Sequence, residues 1–157
     1  MNTAVRYADP TDAATLSAMV GELLHELMAA IGSRVFSFNR EDTEARARQW
    51  LADGSYAVLL AVDRDAVLGF AALYESRALY AEGTFGTIPE LYVRSGYRSK
   101  GVGTQLLAEA RAHAKAKRWT RLEVTTPPLP QFDRTKTFYE RHGFCVSGGR
   151  KLKADIP

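Results

Sequence analysis

The residues Arg98-Ser99-Lys100-Gly101-Val102-Gly103-Thr104 stand between an extended apolar run, Phe85 to Val93, and a helical pattern that opens Gln105-Leu106-Leu107. The order is strand, glycine-rich turn, helix. Such a turn aims backbone N–H groups without intrahelical acceptors, and the positive end of a helix dipole, at one point. The chemistry it suits is anion binding, most often of a phosphate. Glycine lets the main chain approach a ligand where a Cβ would intrude. Two common phosphate loops are excluded. A P-loop has four residues between its glycines and ends Gly-Lys-Ser/Thr, whereas only Val102 separates Gly101 from Gly103. The dinucleotide fingerprint needs a third glycine where this chain has Leu106. On spacing alone, a turn that serves only topology remains the competing reading.

Two further residues could do chemistry. Tyr139 lies in Phe138-Tyr139-Glu140-Arg141-His142-Gly143-Phe144. A phenol titrates at about 10, so a tyrosine is protonated at neutral pH and able to donate a proton. A buried tyrosine bonded to backbone fits the same residues. Glu90 lies in Ile88-Pro89-Glu90-Leu91-Tyr92-Val93. A carboxylate is a poor base toward an ammonium unless burial raises its pKa or it relays the proton through water. An exposed strand glutamate, or a fixed charge for a cationic substrate, fits equally well. Pro89 cannot donate to a sheet ladder and marks a bulge or a splayed edge. His25, His113, His142 and Cys145 show no ligand spacing, so no metal site is expected. Cys145 reads as a small buried residue in an apolar strand.

The elements that must position these groups are legible from periodicity. Val5 to Ala8 reads as a short strand. Asp9 caps a helix with Pro10 at its first position, and Leu16, Met19, Val20, Leu23, Leu24, Leu27 and Ile31 recur at helical spacing up to Gly32. A second helix runs from Arg40 to Asp53, capped by Asn39 and ended by Gly54. Strands 56–62 and 67–75 flank a turn at 63–66. Strand 85–93 leads into the glycine turn, and the helix after it turns Val102, Leu106, Leu107 and Ala110 to one side. Strand 119–125, a proline-rich connection, a short helix from Asp133 to His142 and a last strand, 144–152, complete the order β-α-α-β-β-β-α-β-α-β.

A chain of 157 residues suits one domain over 1–157 and buries roughly 70% of its unfolded surface. The formal charge of +3 is compatible with an anionic ligand but too small and dispersed to point to nucleic acid. One cysteine excludes an internal disulfide and suits a reducing cytosol. No apolar run approaches the ~18 residues of a membrane span. A cytoplasmic, soluble protein is expected.

Arg98-x-x-Gly101-x-Gly103, after a strand and before an amphipathic helix, resembles the acetyl-CoA pyrophosphate loop of the GNAT superfamily of N-acetyltransferases. Phe138-Tyr139-Glu140-x-x-Gly143-Phe144 resembles the segment that follows the fifth sheet strand in that family. The two motifs stand in the family's order, and the element order matches its fold over nearly the whole chain. The resemblance implies an α/β (α+β) fold whose mixed sheet is flanked by helices and splayed at the fourth and fifth strands, 85–93 and 119–125. It implies transfer of the acetyl group of acetyl-CoA to a primary amine, with Tyr139 beside the sulfur and Glu90 as base. Leu91, Tyr92 and Val93 would meet the pantetheine arm, with the Leu91 N–H near the thioester oxygen. Arg98, Ser99, Lys100, Gly101, Val102, Gly103 and Thr104 would cradle the pyrophosphate. Many members place an asparagine before the tyrosine helix; here Thr126 or Gln131 occupies that stretch, and Thr126 is grouped with the cofactor residues. Phe132, Arg134, the segment Arg34–Phe38 and the segment Tyr80–Phe85 are candidates for the acceptor side. The acceptor would be a small-molecule or peptide amine, and dimers are common in the family, so a homodimer is among the expectations. A catalytically inactive CoA-binding sensor is the alternative within the same fold.

Overall fold

A computed structural model describes all 157 residues. The chain forms two compact units, Met1–Thr125 and Thr126–Pro157. The first holds β1 (Ala4–Tyr7), α1 (Ala13–Ile31), α2 (Arg40–Asp53), β2 (Ala57–Asp63), β3 (Ala66–Ala78), β4 (Gly83–Ile88), β5 (Leu91–Val93), α3 (Val102–Ala116) and β6 (Leu122–Val124). The second holds α4 (Asp133–Arg141).

Local chemistry sets the helix limits. Ahead of α1, Asp9 accepts from the Thr11 N–H at 2.7 Å while its own N–H donates to Asp12 at 2.9 Å, a reciprocal cap. The Asn39 side chain accepts from the Asp42 N–H at 2.9 Å and starts α2. Gly32 and Gly54 close the two helices in the left-handed conformation, at φ 79° and 78°.

The strands lie in the order β1-β2-β3-β4-β6, with β5 continuing the line of β4 against β3. All pairings are antiparallel except β4 with β6, which is parallel. Leu16 and Met19 of α1 pack on Val58, Leu60, Phe70, Ala72 and Tyr92 to form one side of the core. Leu59, Ala71 and Leu73 alternate to the opposite side of the sheet, and α3 buries Leu106, Leu107 and Ala110. Each fully buried Leu-sized side chain contributes about 1.5–3 kcal/mol.

By length and apolar composition alone, Pro10–Ile31 would suffice to cross a membrane. Its Leu16 and Met19 face the sheet, and its Glu22 and Glu26 pair with Arg94 and Arg98, so it is a core helix of this fold.

Two elements differ from the periodicity. The strand expected at 85–93 breaks into β4 and β5 at Pro89-Glu90, and no strand forms over 144–152. The latter stretch is largely exposed, and Gly149 takes φ 97°, a turn conformation that an extended strand lacks. Cys145 is accordingly exposed rather than buried in a strand.

Candidate functional site

The break at Pro89-Glu90 is a β-bulge. Ala71 pairs with Leu91 and Tyr74 with Thr87, so Ala72 and Leu73 oppose three residues, Ile88, Pro89 and Glu90. The proline fits because its missing N–H falls where the ladder is already interrupted. The Ala72 N–H donates to the Glu90 carbonyl at 2.9 Å, and the Arg94 N–H to the Leu68 carbonyl at 2.9 Å. In that register the Tyr92 backbone turns toward Phe70, while Leu91 and Val93 turn their polar groups to the opposite edge. No strand pairs with β5 on that edge, because the β4–β6 pairing stops at Ile88 and Val124. The sheet parts here.

β5 runs through a short turn at Ser95–Tyr97 into the glycine loop. Ser99 and Gly101 adopt φ 59° and 81°. Gly101 caps α3 in this left-handed conformation, and the first helical bond runs from the Gln105 N–H to the Gly101 carbonyl at 3.0 Å. The N–H groups of residues 101–103 therefore precede the ladder at the positive end of the helix. This is main-chain geometry that an anion can occupy.

The basic side chains of the loop are engaged elsewhere. Arg98 donates to the Val93 carbonyl at 2.7 Å and to Glu26 at 2.7 and 3.0 Å, with its guanidinium 5.5 Å from the Tyr92 ring centre. Arg94 holds Glu22 one helical turn away, at 3.0 and 3.1 Å. The two pairs tie α1 to the approach to the glycine loop. Lys100 donates to the Gly96 carbonyl at 3.0 Å. Tyr92 itself is buried, and the carboxylates of Glu26 and Glu22 add to burial in lifting its phenol to about 12.

Glu90 shares a sheet face with Ala72, Phe70 and Tyr92, the face covered further along by α1 and α2. Burial raises its carboxyl above the usual range, and the neighbouring Tyr56 hydroxyl opposes that rise in part. Burial and the Glu90 charge together push the Tyr56 phenol well above the usual tyrosine range, so it stays protonated. Tyr56 stacks on Tyr74, with ring centres 6.0 Å apart and planes within 5°, and tilts against Trp50 at 4.8 Å. Sequence reading did not single out this aromatic cluster.

The other acceptor candidates sit differently. Phe38 lays its ring on Gly21 of α1, 2.7 Å from where a Cβ would stand, and so covers that helix. Phe85 is buried with the Arg121 guanidinium 4.3 Å from its ring centre, and Tyr80 lies 5.8 Å from the same guanidinium.

In the second unit Tyr139 is buried on α4, edge-on to Phe138 and Phe144 at 5.3 and 5.4 Å. Burial lifts its phenol to about 12 and keeps it protonated. Gly143 turns at φ 86°, and the Phe144 N–H donates to the Tyr139 carbonyl at 3.1 Å, so the Gly-Phe half of the motif folds back on the tyrosine turn. Thr126 and Phe132 are half-buried, and Arg134 is exposed.

The mixed sheet parts beside a half-buried glutamate and leads straight into a glycine-capped helix, an arrangement suited to an extended anionic ligand. The Acetyltransferase (GNAT) domain model matches residues 54–146, and the chain belongs to that acetyltransferase family. Solved structures agree on the fold. An integron cassette protein from the mobile metagenome of Cole Harbour Salt Marsh superposes with TM-score 0.80 at 21% identity, over 98% of this chain and 90% of its own. A predicted acetyltransferase from Clostridium acetobutylicum, crystallised with acetyl-CoA, gives 0.78 at 17%, over 98% and 96%. An aminoglycoside acetyltransferase from an uncultured soil metagenomic sample gives 0.77 at 15%, over 99% and 97%. No curated protein matches the sequence significantly.

Proposed function

We propose that this acetyltransferase takes its acetyl group from acetyl-CoA and passes it directly to a primary amine. The observation that carries the reading is the unpaired edge of β5 running into the Gly101-capped start of α3. An extended pantetheine arm would add to the Leu91 and Val93 edge, and its pyrophosphate would meet main-chain N–H groups of residues 99–104, including the turn that Gly101 makes possible. At Val93 the N–H is the group on offer, since its carbonyl already accepts from Arg98. Thr104 adds a hydroxyl at the same helix end, and Thr126 is assigned to the pantetheine side by the resemblance alone.

By the resemblance alone, the chemistry balances with two residues, Glu90 of the first unit and Tyr139 of the second. The acceptor ammonium gives one proton to Glu90, directly or through water, and the freed nitrogen lone pair attacks the thioester carbon. The C–N bond forms, the tetrahedral intermediate collapses, and the C–S bond breaks. Tyr139 protonates the leaving thiolate and is re-protonated at the expense of the nitrogen's second proton. The products are the amide, CoA thiol and one proton. The raised Glu90 carboxyl suits it to accept a proton, and the protonated Tyr139 suits it to give one. The acceptor is a small-molecule or peptide amine.

Release of free thiol from acetyl-CoA in the presence of an amine panel tests this. Turnover by the wild type, reduced about 10²-fold or more in Tyr139→Phe with acetyl-CoA affinity retained, supports it. Acetyl-CoA binding without turnover under any acceptor would mark a sensor instead.

A further inference from the structure

We propose that the Trp50–Tyr56–Tyr74 aromatic wall is where the acceptor docks, that Tyr56 positions Glu90 there, and that the acceptor this wall fits carries a single ammonium on an apolar or aromatic body. The inference rests on the transfer reading above and names its substrate class.

Two bulges build the wall. In the β2–β3 hairpin, Val62 pairs with Val67 and Ala61 with Gly69, which leaves Leu68 as an extra residue. That one-residue shift brings Tyr56 opposite Tyr74, and the rings stack. The second bulge, at Ile88–Glu90, puts both Thr87 and Glu90 on the same face as Tyr74, although three positions separate them. Tyr56 and Glu90 then lie diagonally across Ala72, whose small side chain leaves room for the phenol beside the carboxylate. A tyrosine hydroxyl beside a carboxylate favours the charged form and the orientation in which the two can bond.

Charge on this face selects the ligand. The Arg121 and Glu123 side chains neutralise each other at 2.6 Å, and Ser76 and Thr87 satisfy each other at 2.7 Å. Among the sheet residues of this face, Glu90 is the carboxylate without a basic partner. One half-buried negative charge beside stacked rings suits one cation through charge and cation–π attraction, with the rings covering an apolar body. A polycation would bring further ammonium groups onto strands whose other carboxylate on this face, Glu123, is already paired with Arg121. The titratable groups that act on Glu90 and Tyr56 are each other and Tyr74.

Acetyl-CoA-dependent thiol release with phenethylamine and with spermine as acceptors provides the test. The expected result is a kcat/KM at least about tenfold higher for phenethylamine. Tyr74→Ala should raise its KM about tenfold with kcat nearly unchanged. Tyr56→Phe keeps the stack and should move the acid limb of the pH–rate profile upward by about one unit, because Glu90 loses the hydroxyl that favours its charged form. Preference for spermine, or an unshifted acid limb in Tyr56→Phe, would overturn the proposal. If the wild type released no thiol with any amine, the transfer reading would fail separately. Calorimetric binding of phenethylammonium to wild type and Tyr74→Ala would then decide the wall, with equal affinities overturning it.

Discussion

At the scale of single residues, two ionisable groups are pushed the same way for the same reason and toward opposite uses. Burial raises Glu90, which makes a carboxylate less willing to ionise but a better proton acceptor once it has. Burial raises Tyr139 to about 12, which keeps the phenol a donor at any working pH. The sign for activity follows. With Glu90 as base, kcat/KM should rise with pH through a midpoint above the ordinary carboxylate range near ~4.3, as the carboxylate forms. Glu90→Gln should remove that limb and lower kcat/KM about 10²-fold, measured across pH 4.5–8.5 with phenethylamine. Arg98 makes a contrasting case. Its place in the motif was plain in the sequence, but its side chain is spent on Glu26 and the Val93 carbonyl. What the loop offers a phosphate is mainly backbone, so Arg98→Ala should weaken acetyl-CoA less than a substitution at Gly101 does.

At the scale of elements, caps were readable and registers were not. Asn39 and Gly54 bound α2 at the residues the sequence suggests, because a cap is a property of one side chain or one φ angle. The pairing of Tyr56 with Tyr74 could not be read. Counting outward from the turn at Asp63 and Ala66 places Tyr56 opposite Leu73, on the wrong face, until the extra residue Leu68 shifts the register. Pro89 did announce the second bulge, since a proline there has no donor to lose. The strand expected at 144–152 failed because the short apolar run Phe144-Cys145-Val146 does not outweigh Gly148-Gly149 in a largely exposed stretch. The same logic makes Gly69 a test of the edge. A Cβ there would stand 2.4 Å from the Tyr92 carbonyl oxygen, so Gly69→Ala must force β3 and β5 apart. The expected loss is about 1–3 kcal/mol in urea denaturation, with weaker acetyl-CoA binding alongside.

At the scale of the whole molecule, stability carries a pH signature of its own. His113 of α3 is buried, bonded to the Tyr7 hydroxyl at 2.8 Å, and edge-on to Trp119, whose indole donates to Glu75 at 2.9 Å. Burial, and then the charge of Lys117, hold its pKa below the usual histidine value. The folded state thus binds a proton less readily than the unfolded chain, so the neutral ring's stabilisation is fully present above about pH 6.5 and is lost as pH falls below it. Urea midpoints should drop between pH 7.5 and 5.5, and His113→Gln should flatten that drop. The family match spans residues 54–146, which includes the parted sheet, the glycine loop and the tyrosine motif. It leaves out α1, which the Glu22–Arg94 and Glu26–Arg98 pairs bind to the approach to that loop.

Calorimetric titration with acetyl-CoA, comparing the wild type with Gly101→Glu, tests the central claim most directly. Gly101 sits at φ 81° with open space where a side chain would project, so the variant adds a negative charge where the pyrophosphate is placed, along with some backbone strain. Micromolar binding to the wild type, lost or weakened at least about 10²-fold in a variant that remains folded by circular dichroism, is the predicted result. No binding to the wild type at millimolar acetyl-CoA, or equal binding to both proteins, would contradict it.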